Sequence, residues 1–369
     1  MLNNYQIYTP FPVSLPGCAS QTGPNGESYG TPSPLGEGWD GGILKRIFII
    51  SVILLSGCIA YSQQLPIFSQ YLYNKFLIDP AVAGSDGFTS FNLTAREQWV
   101  GYYGAPQTFT FSGQTRLLKK GYSIKNKSGA RRQVYRPKQD GRVGLGGIVF
   151  SDKNGITQRN GFQLSYAYHI WLESSTQLSM GLAATGYHFK INEKEINFED
   201  PNDPWLNSDL RKGVFIPDAA VGLYLLNPQF SAGFSIDQLF QGALKLGDEA
   251  YNNFKMGRQI NIFGSYTFTS GPYVELQPSL LFRMSEQIIP QVDIGFTYIL
   301  KQSFWAGLTY RTSGALIANV GFKYQNLWFG YSFDFTLQEI QKITYGTHEL
   351  SVALRFGDSS RRYRWLDRY

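Results

Sequence analysis

Between Asn261 and Phe335 the chain alternates apolar and polar side chains almost without a break. That period of two commits the stretch to β-strands, because successive side chains leave a strand on opposite faces. In Val274–Arg283, Val274, Leu276, Leu280 and Phe282 share one face, and Glu275, Gln277, Ser279 and Arg283 the other. In Gln291–Tyr298 the apolar set is Val292, Ile294, Phe296 and Tyr298. In Leu327–Phe335 it is Leu327, Phe329, Tyr331, Phe333 and Phe335, opposite Trp328, Gly330, Ser332 and Asp334. The links Ser270-Gly271-Pro272, Leu300-Lys301-Gln302 and Gln325-Asn326 are short, so the strands form an antiparallel meander. A soluble sheet would bury the apolar face, whereas a membrane barrel turns it to lipid and its polar face to a lumen. Aromatics, 16% of the chain, sit on the apolar face near strand ends, as in the girdles of outer-membrane barrels.

The start of the chain decides between the two. Lys45-Arg46, the apolar run Ile47–Leu55 and the small residues up to Ala60-Tyr61-Ser62 are the three parts of a secretory signal, residues 44–62. The run is too short to span a bilayer as a helix, which takes ~20 residues. Residues 1–43, rich in Gly, Pro, Ser and Asn, precede the signal as an upstream artefact or leader. Leu55-Ser56-Gly57-Cys58 resembles a lipobox, but the Ala-x-Ser site favours cleavage before Gln63. Cys18 and Cys58 then both leave, and neither a disulfide framework nor a cysteine metal site is available.

Residues 63–87 have no clean period, and Pro80 interrupts them. They read either as a linker or as a lead-in packed at the barrel mouth. Period-two segments after them predict an all-β, transmembrane, up-and-down antiparallel barrel of about fourteen strands over residues 88–356. The expected strands are 88–96, 108–116, 143–151, 161–171, 176–186, 219–226, 229–237, 261–269, 274–283, 290–299, 303–311, 316–324, 327–335 and 348–356. Connections alternate short and long, with the link between strands eleven and twelve the expected exception. Short turns belong in the periplasm and long loops outside, which puts both termini in the periplasm. Leu117–Arg142 breaks the pattern as a basic insert on the short side, with Lys119, Lys120, Arg131, Arg132 and Arg136 among its cations. It is either a solvated insertion or an arm for an acidic partner or anionic headgroups. A basic tail, residues 357–369, ends the chain. Insert and tail account for most of the net charge of +6, so that charge does not mark a nucleic-acid binder.

Four segments together carry a family resemblance. They are Phe68-Ser69-Gln70-Tyr71, Asp79-Pro80-Ala81-Val82-Ala83-Gly84, Arg96-Glu97-Gln98-Trp99-Val100-Gly101 with Gly104-Ala105-Pro106-Gln107-Thr108, and Tyr345-Gly346-Thr347-His348-Glu349-Leu350. In this order, with Pro217–Phe240 between, they resemble the PorP/SprF family of type IX secretion proteins of Bacteroidetes. Asp79 stands where the family usually has Asn. The resemblance implies a bacterial outer-membrane barrel that associates with secretion or gliding components. It also implies a part in exporting or anchoring large surface proteins, such as adhesins, with C-terminal sorting domains. Without the motifs, the barrel alone would equally suit a small-solute channel.

Catalytic chemistry is not written here. His169, His188 and His348 are scattered over strand ends, without metal-ligand spacing. Gly144-Leu145-Gly146-Gly147 lies within a strand and reads as strand packing, not a phosphate cradle. A barrel hydrolase would need His348 beside a serine. Glu199-Asp200-Pro201-Asn202-Asp203 offers oxygens to calcium, though such clusters are more often solvated loop. No cofactor is implied. Lumen-facing charges of both signs (Glu275, Arg283, Asp293, Arg311, Lys323, Asp334, Glu349, Arg355) suggest a cross-linked interior rather than a one-sign filter. An arginine at Thr297, on that face, should then be tolerated far better than one at Phe296. Trp99, Tyr102 and Tyr103 crowd one loop; they either contact a partner or cargo, or belong to the interfacial girdle.

Overall fold

A computed structural model describes residues 67–117, 142–172, 175–192, 213–241, 243–244, 254–255, 257–271, 273–286 and 288–356. The expected upstream segment, signal peptide, Cys58 and Gln63 cleavage alternatives, most of the basic insert with Arg131 and Arg132, the Glu199–Asp203 cluster and the tail lie outside the described residues.

Fourteen strands close on themselves. They are β1 (Thr89–Glu97), β2 (Gln107–Leu117), β3 (Val143–Asn154), β4 (Thr157–Trp171), β5 (Gln177–Ile191), β6 (Val214–Leu226), β7 (Phe230–Asp237), β8 (Gln259–Tyr266), β9 (Val274–Ser285), β10 (Ile288–Leu300), β11 (Phe304–Arg311), β12 (Ala315–Tyr324), β13 (Leu327–Thr336) and β14 (Thr347–Phe356). Each pairs antiparallel with its neighbours, and β1 meets β14 from Thr89↔Phe356 to Glu97↔His348. Closure removes every edge, the condition for a sheet to sit in lipid. Phe268–Ser270 prolongs β8 along β9, and a two-residue ladder joins Ala243–Leu244 to Phe254–Lys255.

Burial runs opposite to a soluble sheet. Leu93, Val149, Leu164, Leu182, Ile294, Phe296 and Leu308 are exposed on the outside, while Thr94, Ser165, Ser179, Asn261, Asp293 and Glu349 are buried inside. The apolar face is therefore the lipid face. An arginine in place of Phe296, 49% exposed, should destabilise the folded barrel by ~2–4 kcal/mol if the site lies at the bilayer midplane. Urea titration of heat-modifiable gel mobility checks this, with Phe296→Leu as the silent control.

Two expectations change. The connections after β3 and β9 are not long: β3 reaches Asn154 and β4 begins at Thr157, while β9 ends at Ser285 and β10 begins at Ile288. β3 and β4 continue through polar residues, while β9 and β10 gain only Met284-Ser285 and Ile288-Ile289. Asp152 and Arg159 pair across β3 and β4 at 2.6 Å, and Thr108 on β2 donates to Asp152 at 2.7 Å. Beyond the lipid both faces are polar, so the alternation that marks a strand disappears while the ladder persists. Thr297, in turn, is 3% exposed within a filled lumen, so arginine would not fit there. The tolerance expected at this position of the polar face does not hold.

A plug fixed inside the barrel

What fills the lumen is the lead-in. From Phe68 to Gly84 the chain winds through short 3-10 turns, Lys75–Leu77 and Pro80–Val82, with Asp79 capping the second by accepting from the Ala81 N–H at 2.8 Å. Tyr71, Phe76, Ile78, Ala81, Val82 and Ala83 pack against Ile148, Ala167, Tyr224, Leu226, Phe263 and Leu281 of the wall. The segment is thus a plug, deeper than the mouth. Its sequence gives no periodic signal because a coil surrounded on all sides has no single buried face.

The wall makes room for it with glycine. A Cβ on Gly181 of β5 would overlap Ala81 and Pro80; one on Gly144 of β3 would overlap the Ala83 carbonyl; one on Gly222 of β6 would overlap the Asp79 carboxylate. Gly146 likewise faces the Phe76 ring. The glycine-rich start of β3 is therefore a seat for the plug.

Polar contacts fix the segment at both ends. Strand ends carrying the β1–β2 and β13–β14 loops define the loop end of the barrel; those carrying Thr89 and Phe356 define the turn end. Near the loop end, Arg96 Nη1 donates to Ser69 Oγ at 2.7 Å and to Glu349 Oε2 at 2.9 Å, and its Nη2 donates to Asp334 Oδ2 at 2.8 Å. The backbone N–H groups of Ser69 and Gln70 donate to the two Glu349 oxygens at 2.8 and 3.0 Å. Ser69 Oγ donates to Asp334 at 2.7 Å, and Ser351 Oγ to Gln70 Oε1 at 2.6 Å. Arg311 joins the cluster, 3.5 Å from Asp334 and 3.0 Å from Asp293. At these positions the expected lumenal charges do cross-link, and Arg96 is the member that sequence reasoning left unassigned.

At the turn end, His169 Nε2 donates to the Ala83 carbonyl at 3.1 Å, Gln177 Nε2 to the Ser85 carbonyl at 3.3 Å, and the Gly84 N–H to Gln114 Oε1 at 3.1 Å. That role for Nε2 leaves His169 Nδ1 to accept from Ser179 Oγ at 2.7 Å. His169 and Ser179 are fully buried under the plug. His348 meets a tyrosine, not a serine: its Nδ1 lies 2.7 Å from Tyr331 Oη. Between the ends, Lys75 Nζ donates to Ser231 Oγ at 2.8 Å and Ser235 Oγ to the Ile78 carbonyl at 2.5 Å. Burial, with help from the nearby Arg355 charge, pushes the Lys75 ammonium down to about 7. Burial also holds the Asp79 carboxyl well above its usual range. An aromatic column completes the seat: Tyr73 lies 4.7 Å from Trp305, which lies 5.6 Å from Trp328, and Lys323 and Arg355 stand over the Trp328 ring.

The inward Trp305, Trp328, Phe263, Leu281 and Ile317 were legible as exceptions. Each occupies the register that its strand otherwise gives to polar side chains, and a water-filled lumen would have no use for them.

Trp99, Tyr102 and Tyr103 lie in the β1–β2 loop, not in the plug. Trp99 is partly buried with φ 53°, while Tyr102 and Tyr103 are 48% and 84% exposed. The loop is tied to the β13–β14 loop through Val100 N–H to the Gly346 carbonyl at 2.9 Å and Tyr345 N–H to the Val100 carbonyl at 2.8 Å.

A closed barrel, apolar outside and stoppered inside by its own N-terminal segment, is a plugged outer-membrane-type β-barrel. The four motif segments meet in this plug and the loop beside it. The pattern of the type IX secretion system membrane proteins PorP/SprF matches residues 60–354, and the chain belongs to that family. No curated protein matches the sequence. Among solved structures, the Ralstonia pickettii toluene transporter TbuX is 11% identical, with 76% of this chain and 92% of that chain covered and a TM-score of 0.42. A Pseudomonas aeruginosa FadL homologue is 10% identical, with 80% and 96% covered and a TM-score of 0.39.

Proposed function

We propose that this protein acts in the type IX system as a non-catalytic outer-membrane component that supports export or surface anchoring of large proteins with C-terminal sorting domains, gliding adhesins among them. The observation that carries the reading is the plug. A barrel whose lumen is packed with Phe76, Ala81 and Val82 and fixed at both ends is poorly suited to passive diffusion of solutes. Its function then rests on its surfaces. In this reading the loop end faces outward and both termini face the periplasm, where the basic insert with Arg131 and Arg132 would meet an acidic secretion component or lipid headgroups. Loss of the gene should abolish surface delivery of the adhesin, and a pull-down from envelope membranes should recover secretion components. A steady conductance of the wild-type protein in planar bilayers would favour the solute-channel reading instead.

The rim aromatics extend the proposal. Replacing Trp99, Tyr102 and Tyr103 together by Ala should cut adhesin delivery about tenfold or more while the barrel still folds, because large rings dominate contact surfaces. Normal delivery from a folded triple variant would reject the contact role. A variant that no longer shows heat-modified mobility would mean that these rings serve as girdle.

A further inference from the structure

On the lipid side of β10 to β14 the wall carries a groove of about 580 Å³. One bank is the row Leu300, Phe304, Phe322 and Phe329, which pair in succession across the strands near the turn end. The other bank, two residues deeper, is Tyr298, Val320, Tyr331 and Leu350. Ala306 stands between Tyr298 and Val320 in that second row, and its single methyl leaves open what a larger side chain would close. The floor includes the bare backbone of Gly321 and Gly330, which are register partners. On the inner side of those two residues stand the Trp305 ring and Gln70 of the plug.

The groove follows the course of a lipid tail. It starts at the β10–β11 turn, where Leu300 ends β10, and sinks toward the middle of the bilayer strand by strand. Val320 lies four residues in from the β12 end at Tyr324, and Leu350 six in from the β14 end at Phe356. Six residues at ~3.3 Å along a strand tilted by ~45° descend roughly 14 Å, about half of an ~30 Å hydrocarbon core. From β10 to β14 there are four strand spacings of ~4.8 Å, so the groove is about 19 Å long. An extended backbone gains ~3.5 Å over three bonds, or ~1.2 Å per bond, and at that advance about sixteen carbons fill the length. The banks stand ~6.6 Å apart along the strands, room for one chain in width.

Chemistry excludes other occupants. No charged side chain lines the groove, and the Tyr331 hydroxyl is already engaged with His348 Nδ1. A docked protein surface would bring polar groups that need roughly one hydrogen bond per 100–200 Å², which these banks do not offer. At the shallow end Lys301 follows Leu300 directly; it is exposed, and its ammonium has no partner among the described residues. A cation at the interface beside an apolar trough matches a phosphate carrying a hydrocarbon chain.

We propose that this groove holds one resident phospholipid, with an acyl chain of about sixteen carbons laid between the two rows and its phosphate at Lys301. The site does not depend on the secretion role proposed above. The test is native mass spectrometry of the delipidated, detergent-solubilised full chain titrated with dipalmitoyl phosphatidylglycerol. One lipid should bind saturably, and the dioctanoyl form at least about tenfold more weakly, because each buried methylene contributes. Ala306→Phe should weaken the dipalmitoyl lipid about tenfold or more, while Ala318→Phe, an outward position on β12 beyond the groove, should leave it unchanged. Lys301→Ala should cost about fivefold with phosphatidylglycerol and nothing with dipalmitoylglycerol, which lacks the phosphate. Absence of a saturable lipid, equal affinity for both chain lengths, or undiminished binding by a folded Ala306→Phe barrel overturns the proposal. So does a dimer that Ala306→Phe dissociates, since a second copy would then be the occupant. The chain-length comparison decides the matter on the wild-type protein even if a variant fails to fold.

Discussion

Replacing Arg96 by Ala should open the barrel. Arg96 satisfies Ser69, Glu349 and Asp334 at once, all with side chains almost wholly buried. Its removal leaves two carboxylates close together without their shared cation. Breaking a buried pair in this way typically costs ~3–5 kcal/mol. The fourteen-strand ladder is cooperative and closed, whereas the first plug residues are held by these polar contacts and by no strand pairing. The least costly response is for Ser69 and Gln70 to leave and admit water to Glu349 and Asp334. A Ser69→Cys reporter, in a mature chain otherwise free of cysteine if cleavage falls before Gln63, should resist a membrane-impermeant maleimide in the wild-type background. It should label fully once Arg96 is Ala, and bilayer conductance should rise from none to a steady open level. Arg96→Lys should fall between, because an ammonium cannot present the planar fork that reaches all three acceptors. An unlabelled reporter and a silent bilayer in the Arg96→Ala protein would show that packing alone holds the plug.

Gly181→Val should release the middle of the plug by steric force instead of electrostatics. Ala81 and Pro80 occupy the space where its Cβ would stand, and they are backbone, not the flexible end of a side chain. Valine suits a strand, so β5 can keep its ladder while the plug segment cannot keep its seat. Overpacking a tight core typically costs ~1–3 kcal/mol and more where backbone must move. The expected result is a folded barrel with a conductance wild type lacks and rapid proteolysis near Ala81. Gly264→Val is the control, since the nearest atom to its added Cβ is 3.7 Å away. A Gly181→Val barrel as closed as wild type would mean that the glycine does not serve close approach.

The strands were readable because lipid is a severe solvent. Outward positions in the lipid belt, such as Leu93, Leu164, Ile294 and Leu350, must be apolar and their backbone groups must pair, so period two and the even strand count survive in the sequence. Readability ended where that demand ends. Asp152–Arg159 continues the barrel beyond lipid, and its strands read as loop. The rim aromatics could be picked out by crowding alone, but their partner could not.

By itself, then, the sequence determined the barrel: its strand number, its faces, its closure and its family, all consequences of local alternation and ordered motifs. Only the tertiary structure decided what stands inside. The contacts that seat the plug join Ser69 to Glu349 and Ala83 to His169, positions 280 and 86 residues apart. No local pattern encodes such pairs. The glycines of β3 and β5 and the inward Trp305 and Phe263 acquire a meaning only when the segment that fills the space beside them is in place, because complementarity is a property of two surfaces and the sequence writes each of them separately.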